Sequence, residues 1–338
     1  MDTLRVVSPE TKAHNRDIVV VGASMGGVEA LKAIIRDLPA DFPATMFAVL
    51  HLGLGSQSLL PEILSRGALR ASHALHNEKF LPGRIYVAPP DNHLMLRPGY
   101  MHVARGPREN GHRPSVDALF RSASRVYGPR VIAVVLTGLQ DCGTAGAISV
   151  KARGGLVVAQ DPEDSAFPDM PASVIEHTDV DHVVPLKEVS ALLSQLVRQP
   201  APPAPMRLPE DLEEFEGDER GISSEIVCPL CQGKLTEAQI GGFRMFRCHV
   251  GHAFSEESLI AEQAEEIERA VWAAIRSLEE GAMLSARLAK QNPRGTLAER
   301  FLEKEAIQYQ QAALLRRMVM GTGMLSREDV PEVEQKSE

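Results

Sequence analysis

Aromatic residues are scarce in this sequence, at 4% of 338 positions with a single tryptophan. No apolar run approaches the roughly 20 residues that a membrane-spanning helix needs. Residues 1–17 are polar and mixed in charge, without the apolar centre of a signal peptide. Membrane insertion is not expected, and the reading is a cytoplasmic protein. Positive charge is also in deficit: 36 Lys and Arg against 45 Asp and Glu leave a net charge of −9. That balance argues against nucleic acid or an anionic membrane surface as the main partner. Cysteine is limited to four residues, of which Cys228, Cys231 and Cys248 crowd together while Cys142 stands apart. Such a distribution suits metal binding better than a disulfide framework.

What is present between Asp17 and Val197 is an alternation of β-branched runs and helical patterns. Ile18–Val21, Met46–Leu50, Ile85–Ala88, Val131–Leu136, Leu156–Ala159 and His182–Val184 read as strands, with helices between them. The economical fold class is α/β, a doubly wound and mostly parallel sheet, with His93–Val103 inserted as a β-hairpin. Sites in such sheets gather at the carboxyl ends of the strands.

The first strand runs into Gly22-Ala23-Ser24-Met25-Gly26-Gly27. One reading is a nucleophile elbow, in which small neighbours permit a tight strand-to-helix turn, Ser24 is displayed, and the N–H groups of Met25 and Gly26 face an oxyanion. The other is a plain glycine turn that opens the first helix. A nucleophilic serine needs a base and a group that orients the base. His51 follows the second strand and would sit at the same sheet edge, as a base or as a structural histidine. His93 and His112 could line the same cleft. Asp141, after the strand Val131–Leu136, is placed to orient His51 or to cap the following helix.

Together these residues resemble the protein-glutamate methylesterases of bacterial chemotaxis, the CheB type. The resemblance spans roughly Asp17 to Val197. It rests on Gly22-Ala23-Ser24-x-Gly26-Gly27, on His51, on Ile85-Tyr86-Val87-Ala88-Pro89-Pro90-Asp91-x-His93 and on His112-Arg113-Pro114-Ser115-Val116-Asp117. It continues through Leu136-Thr137-Gly138, Gly143-x-x-Gly146, Ala159-Gln160-Asp161 and Met170-Pro171. It implies a serine hydrolase that demethylates glutamyl methyl esters on chemoreceptor-type proteins, with glutamine deamidation in some members, and no catalytic cofactor. Ser24 falls on the nucleophile and His51 on the base. The family's acid position holds Cys142, and the available carboxylate, Asp141, lies one residue earlier. A neutral thiol is a poor substitute for a carboxylate, so the alternative expectation is a weakened or inactive adaptor on the same fold. The family's chemotaxis members carry an amino-terminal receiver domain, which residues 1–16 are too few to form; regulation is therefore expected from elsewhere.

Residues 198–224 read as a proline-rich, then acidic linker. Residues 225–256 read as a zinc-ribbon-like module. Cys228-Pro229-Leu230-Cys231, then Cys248 with His252, have the spacing of a tetrahedral Zn²⁺ site of structural kind. His249 is the other candidate for fourth ligand, and a reduced cluster without metal is the plain alternative. Residues 257–325 predict a helical hairpin, with apolar stripes through Ile260, Ala264, Ile267, Val271, Ala274, Leu278 and Ala282, then Leu302, Ala306, Tyr309, Ala313 and Met320. A capping box at Thr296-x-x-Glu299 starts the second helix. The stripes suit a core or a homo-oligomer seam, and the module offers contacts to other signalling proteins. Residues 326–338 read as a tail.

Overall fold

Strand residues whose side chains alternate between two apolar faces build the centre of the molecule. The computed structural model describes residues 14–51, 58–209, 212, 222–291 and 295–321. The expected tail at 326–338, most of the acidic segment of the linker and the break at 292–294 lie outside the described residues. Two compact units divide the chain, Met1–Leu259 and Ile260–Glu338.

In the first unit, β1 (Ile18–Ala23), α1 (Gly27–Arg36), β2 (Thr45–Leu50), α2 (Leu60–Leu64), β3 (Arg70–His73) and β4 (Arg84–Val87) come first. The hairpin β5 (His93–Arg97) and β6 (Tyr100–Ala104) follows, then α3 (Val116–Tyr127), β7 (Val131–Val135), α4 (Thr144–Ala152) and β8 (Leu156–Gln160). The order ends with α5 (Asp169–His177), β9 (His182–Val184) and α6 (Leu186–Leu196). The sheet runs β3-β4-β2-β1-β7-β8-β9 with every pair parallel. Chain order reverses direction between β1 and β7, so the loops leaving these strands diverge at the switch point where doubly wound folds bind ligands.

Burial explains why these runs are strands. On one face Val19, Val21, Met46, Ala48, Ile132 and Val134 pack under α1 and α6. On the other, Ile18, Val20, Phe47, Val49, Ala133 and Val135 pack under α3, α4, α5 and the hairpin. The edge strand β3 is absent from the sequence reading because Arg70-Ala71-Ser72-His73 has no β-branched run and is only partly buried.

After the linker, β10 (Ile222–Val227), β11 (Lys234–Ile240), β12 (Phe243–Cys248) and β13 (Ala253–Ser255) form an antiparallel sheet in that order. This small sheet belongs to the first unit: Ile240, Phe243, Met245 and Ala253 share an apolar cluster with Ala145 of α4 and with Leu212. Helix α7 (Glu256–Gln291) follows directly.

In the second unit α7 continues and pairs with α8 (Thr296–Gly321) as the expected hairpin. The seam shares only Ala282 with the predicted stripes. It runs through Ile275, Ala282, Ser285 and Ala289 of α7 and Ala312 of α8, while Ile260, Ile267, Leu302 and Tyr309 are exposed. Gln308 meets Ser285 at 3.4 Å, and a Cβ at Gly281 would lie 2.4 Å from it, so small residues set a close approach that apolar periodicity alone does not reveal. Among the described residues no helix is long and apolar enough to cross a membrane.

Candidate active site

Ser24 leaves the carboxyl end of β1 in a turn that only small residues permit. Gly26 has φ 77°, and Cβ atoms at Gly22 and Gly27 would lie 2.3 Å from Val116 and 2.6 Å from Ala23 respectively. The backbone N–H of Ser24 donates to Thr137 O at 3.0 Å, and Thr137 Oγ1 donates to Met25 O at 3.0 Å. Thr137 N in turn donates to Gln160 Oε1 at 3.0 Å. The loop after β7 is therefore packed directly on the serine turn. Gly138 is the point of contact, where a Cβ would sit 2.8 Å from Ser24 Cβ.

His51 directly follows β2 next to β1, where its N–H donates to Ala23 O at 3.2 Å. Its Nδ1 lies 3.2 Å from Ser24 Oγ. A ring that accepts from Ser24 at Nδ1 carries its proton on Nε2, and Nε2 is buried with no hydrogen-bond partner among the described residues. The His112 ring stacks on it, with centroids 3.7 Å apart and planes 16° apart. Burial, then the proximity of His112, holds the His51 imidazole well below its ordinary range. Burial, then Arg108, lowers His112 to about 4. Both rings are neutral at pH 7, the form a general base requires.

His112 reaches this position through a two-residue turn. Asn110 and Gly111 both have positive φ, 50° and 73°, and Glu109 and His112 exchange backbone bonds of 3.2 and 2.9 Å across it. Asn-Gly is the favoured pair for such a turn, and it is the signal in the sequence that places His112. His93 serves elsewhere: buried, its Nε2 meets Pro107 O at 2.7 Å and its Nδ1 accepts from Ser115 N at 3.2 Å.

Neither candidate for the orienting acid reaches His51 by a hydrogen bond. Asp141 is buried and accepts from Ser255 Oγ at 2.7 Å. Burial raises it to about 7 against the lowering effect of that bond, with Glu257 and Asp117 raising it further. Cys142 is buried 3.6 Å from Ser115 Oγ, and burial pushes its thiol well up. It is a neutral group, unable to balance an imidazolium.

A second cluster lies in the small sheet. The ligand atoms of Cys228, Cys231, Cys248 and His252 all fall within 4.8 Å of one another. His252 Nδ1 lies 3.6 Å from Cys228 Sγ and 3.5 Å from Cys248 Sγ, and the Cys231 and Cys248 sulfurs are 3.6 Å apart. His249 turns instead towards Gly233, where a Cβ would meet its ring at 2.6 Å.

The family described as CheB methylesterase is matched over residues 19–193. The chain belongs to the CheB methylesterase family. A protein named protein-glutamate methylesterase/protein-glutamine glutaminase 2 from Methanosarcina mazei is 35% identical over 196 residues, covering 55% of this chain and 53% of its own length. A Leptospira interrogans relative is 37% identical over 184 residues, 54% of this chain and 95% of that one. This chain thus spans about half of the former and nearly all of the latter. The crystal structure of the Thermotoga maritima CheB methylesterase catalytic domain superposes with a TM-score of 0.52 and 37% identity, over 54% of this chain and 98% of that chain. A CheB domain covered to that extent leaves no length for a counterpart of β10–β13.

Sequence reasoning missed two residues beside the CheB-type site. Neither Asn110 nor Ser255 carries a catalytic motif of its own in the sequence. Their meeting depends on contacts between segments more than 100 residues apart, such as the 145-residue separation from Asn110 to Ser255.

Proposed function

We propose that the chain hydrolyses glutamyl methyl esters on methyl-accepting chemoreceptor-type proteins, with Ser24 as nucleophile. The observation that carries this reading is the 3.2 Å approach of His51 Nδ1 to Ser24 Oγ at the switch point of a CheB-family sheet. Ser24 Oγ attacks the ester carbonyl carbon as its proton passes to His51 Nδ1. The N–H groups of Met25 and Gly26 are assigned to the oxyanion. Collapse expels methanol, which takes the proton back from His51. Water then attacks the acyl-serine by the same route in reverse and leaves the glutamate carboxylate. An amide substrate would expel ammonia instead, the glutaminase outcome. The assigned machinery is Ser24, His51, Met25 and Gly26. Asp141 is not assigned the orienting role, because its carboxylate is engaged by Ser255. Packing by His112 takes the place of an acid in holding the His51 ring.

Cys228, Cys231, Cys248 and His252 are proposed to hold a structural Zn²⁺. Tetrahedral zinc with bonds of about 2.3 Å to sulfur and about 2.0 Å to nitrogen separates its ligands by roughly 3.5–3.8 Å, which three of the six ligand pairs match at 3.5–3.6 Å, with all four ligand atoms within 4.8 Å of one another. Bound there, the ion would supply cross-linking and no chemistry to the ester. The cytoplasmic setting, and contacts of the carboxyl-terminal region with other signalling proteins, belong to the same proposal.

The test is methanol release from a methyl-labelled receptor. Wild type is expected to release label, and Ser24→Ala and His51→Ala to lose release by about 10³-fold or more. Release that persists in Ser24→Ala would remove the serine from the mechanism.

A further inference from the structure

The segment Ala253–Ser258 joins the small sheet to α7, and it touches both loops that flank Ser24 and His51. The first contact is with the Asn110 turn. Asn110 N donates to Ala253 O at 2.8 Å and Ala253 N donates to Arg108 O at 3.2 Å, so β13 extends along the strand-like edge before the turn. Asn110 Oδ1 accepts from Ser255 N at 2.9 Å and from Ser258 Oγ at 2.9 Å. Asn110 Nδ2 donates to Asp117 Oδ2 at 2.9 Å, and Asp117 Oδ1 accepts from Gly146 N at 2.6 Å at the start of α4. Two residues after Asn110 stands His112, flat on His51.

The second contact is with the loop after β7. Ser255 Oγ donates to Asp141 Oδ1 at 2.7 Å and accepts from Ser258 N at 3.1 Å, so one hydroxyl caps α7 and grips the loop. Gly138 and Thr137 in that loop abut Ser24. Asn110, Asp117, Asp141, Ser255 and Ser258 are all buried. In such a setting each lost partner leaves a desolvated polar group behind, so the network holds one arrangement.

Resting on the esterase reading above, we infer that Ser255 is a positioning residue of the esterase site, clamping the His112 turn and the Gly138–Asp141 loop so that the carboxyl-terminal module is a working part of the active site. The covered domain of the Thermotoga structure has no length for this module. Here the position that the resemblance gives to an acid is Cys142, and the support of the His51 region comes instead from across the module boundary.

The experiment compares Ser255→Val with Ser255→Thr in the full chain; both are β-branched, and only the second keeps the hydroxyl. Amide hydrogen exchange is followed at residues 109–112 and 137–143, with kcat and KM for methanol release from methyl-labelled receptor. For Ser255→Val, which removes the hydroxyl bonds to Asp141 and Ser258 but keeps the backbone bond to Asn110, we expect exchange at 137–143 to accelerate about 10-fold or more and kcat to fall about 10- to 100-fold while KM stays within about threefold. Ser255→Thr should restore both. Unchanged exchange at 137–143 overturns the inference whatever the rate, and so does accelerated exchange with an unchanged kcat. Should Ser255→Val fail to fold, Ser258→Ala, which removes one of the bonds to Asn110, is expected to accelerate exchange at 109–112; its failure to do so is equally decisive. If wild type releases no methanol, the substrate assignment fails by itself. The clamp is then decided by loop exchange with the rate at which a fluorophosphonate labels Ser24.

Discussion

His112 covers one face of the His51 ring at 3.7 Å, in a site where no carboxylate among the described residues hydrogen-bonds that ring. Stacking excludes water from the imidazole, and burial is the larger cause of its lowered pKa. The acid limb of kcat/KM in wild type should therefore lie below the ordinary imidazole value of about 6.5. His112→Ala admits water and should move the limb up towards that value with a lower kcat, whereas His112→Phe, which keeps a flat cover, should leave it low. pH–rate profiles of the three proteins measure this; superimposable profiles would mean that the stack has no part in tuning His51.

Asp141 and His112 act on stability in opposite senses over the same pH range. Asp141 titrates at about 7 in the folded chain and near 3.9 when unfolded, so between these values the folded state binds more protons. Raising the pH from about 4 to about 7 then costs up to about 1.4 kcal/mol per pH unit. His112 titrates at about 4 when folded and near 6.5 when unfolded, so there the unfolded state binds more protons and stability rises with pH. His51 adds to the His112 side. Asp141→Asn deletes only the first slope. Urea titrations from pH 4.5 to 8 should show a steeper rise with pH in Asp141→Asn than in wild type, and the variant's relative gain should be greatest above about pH 7. Parallel curves for the two proteins would contradict the raised pKa.

Gly138 is the tightest point beneath the serine. A Cβ there would lie 2.1 Å from Met170 Sδ and 2.8 Å from Ser24 Cβ. Gly138→Ala should destabilise the fold by about 1–3 kcal/mol and slow both methanol release and fluorophosphonate labelling. A variant with unchanged melting temperature and labelling rate would show that the loop yields without moving Ser24.

Metal content tests the second cluster. Wild type should carry about one zinc per chain by mass spectrometry. Cys228→Ser and His252→Ala should lose it, while His249→Ala, whose ring faces Gly233, should retain it. Retention in His252→Ala with loss in His249→Ala would reverse the ligand assignment.

Much of this was legible because it is local. The strands from Ile18 to Val184, the serine turn and His51 at the neighbouring strand end follow from β-branched runs and from glycines that a tight turn requires. Edge strand β3 escaped because Arg70 and His73 carry no such pattern. The seam of the helical pair escaped because Gly281, Ser285 and Ala312 bring the helices together through smallness, while Ile260, Ile267, Leu302 and Tyr309 of the predicted stripes are exposed. Asp141 is the most instructive case. Its position one residue from the family's acid suggested a partner 90 residues upstream, yet its partner is Ser255, 114 residues downstream. No short window of sequence contains that choice.

Ser255 also determines where this protein can be cut. A fragment that stops at Val197, in front of the proline-rich stretch, would keep every strand of the seven-stranded sheet and still deprive Asp141 of its Ser255 bond and Asn110 Oδ1 of both its donors. The shortest piece that retains those bonds runs through Ser258, one residue before the first compact unit ends at Leu259. The compact unit that holds Ser24 and His51 therefore ends inside a helix, one turn past its cap, rather than in the linker that composition marks.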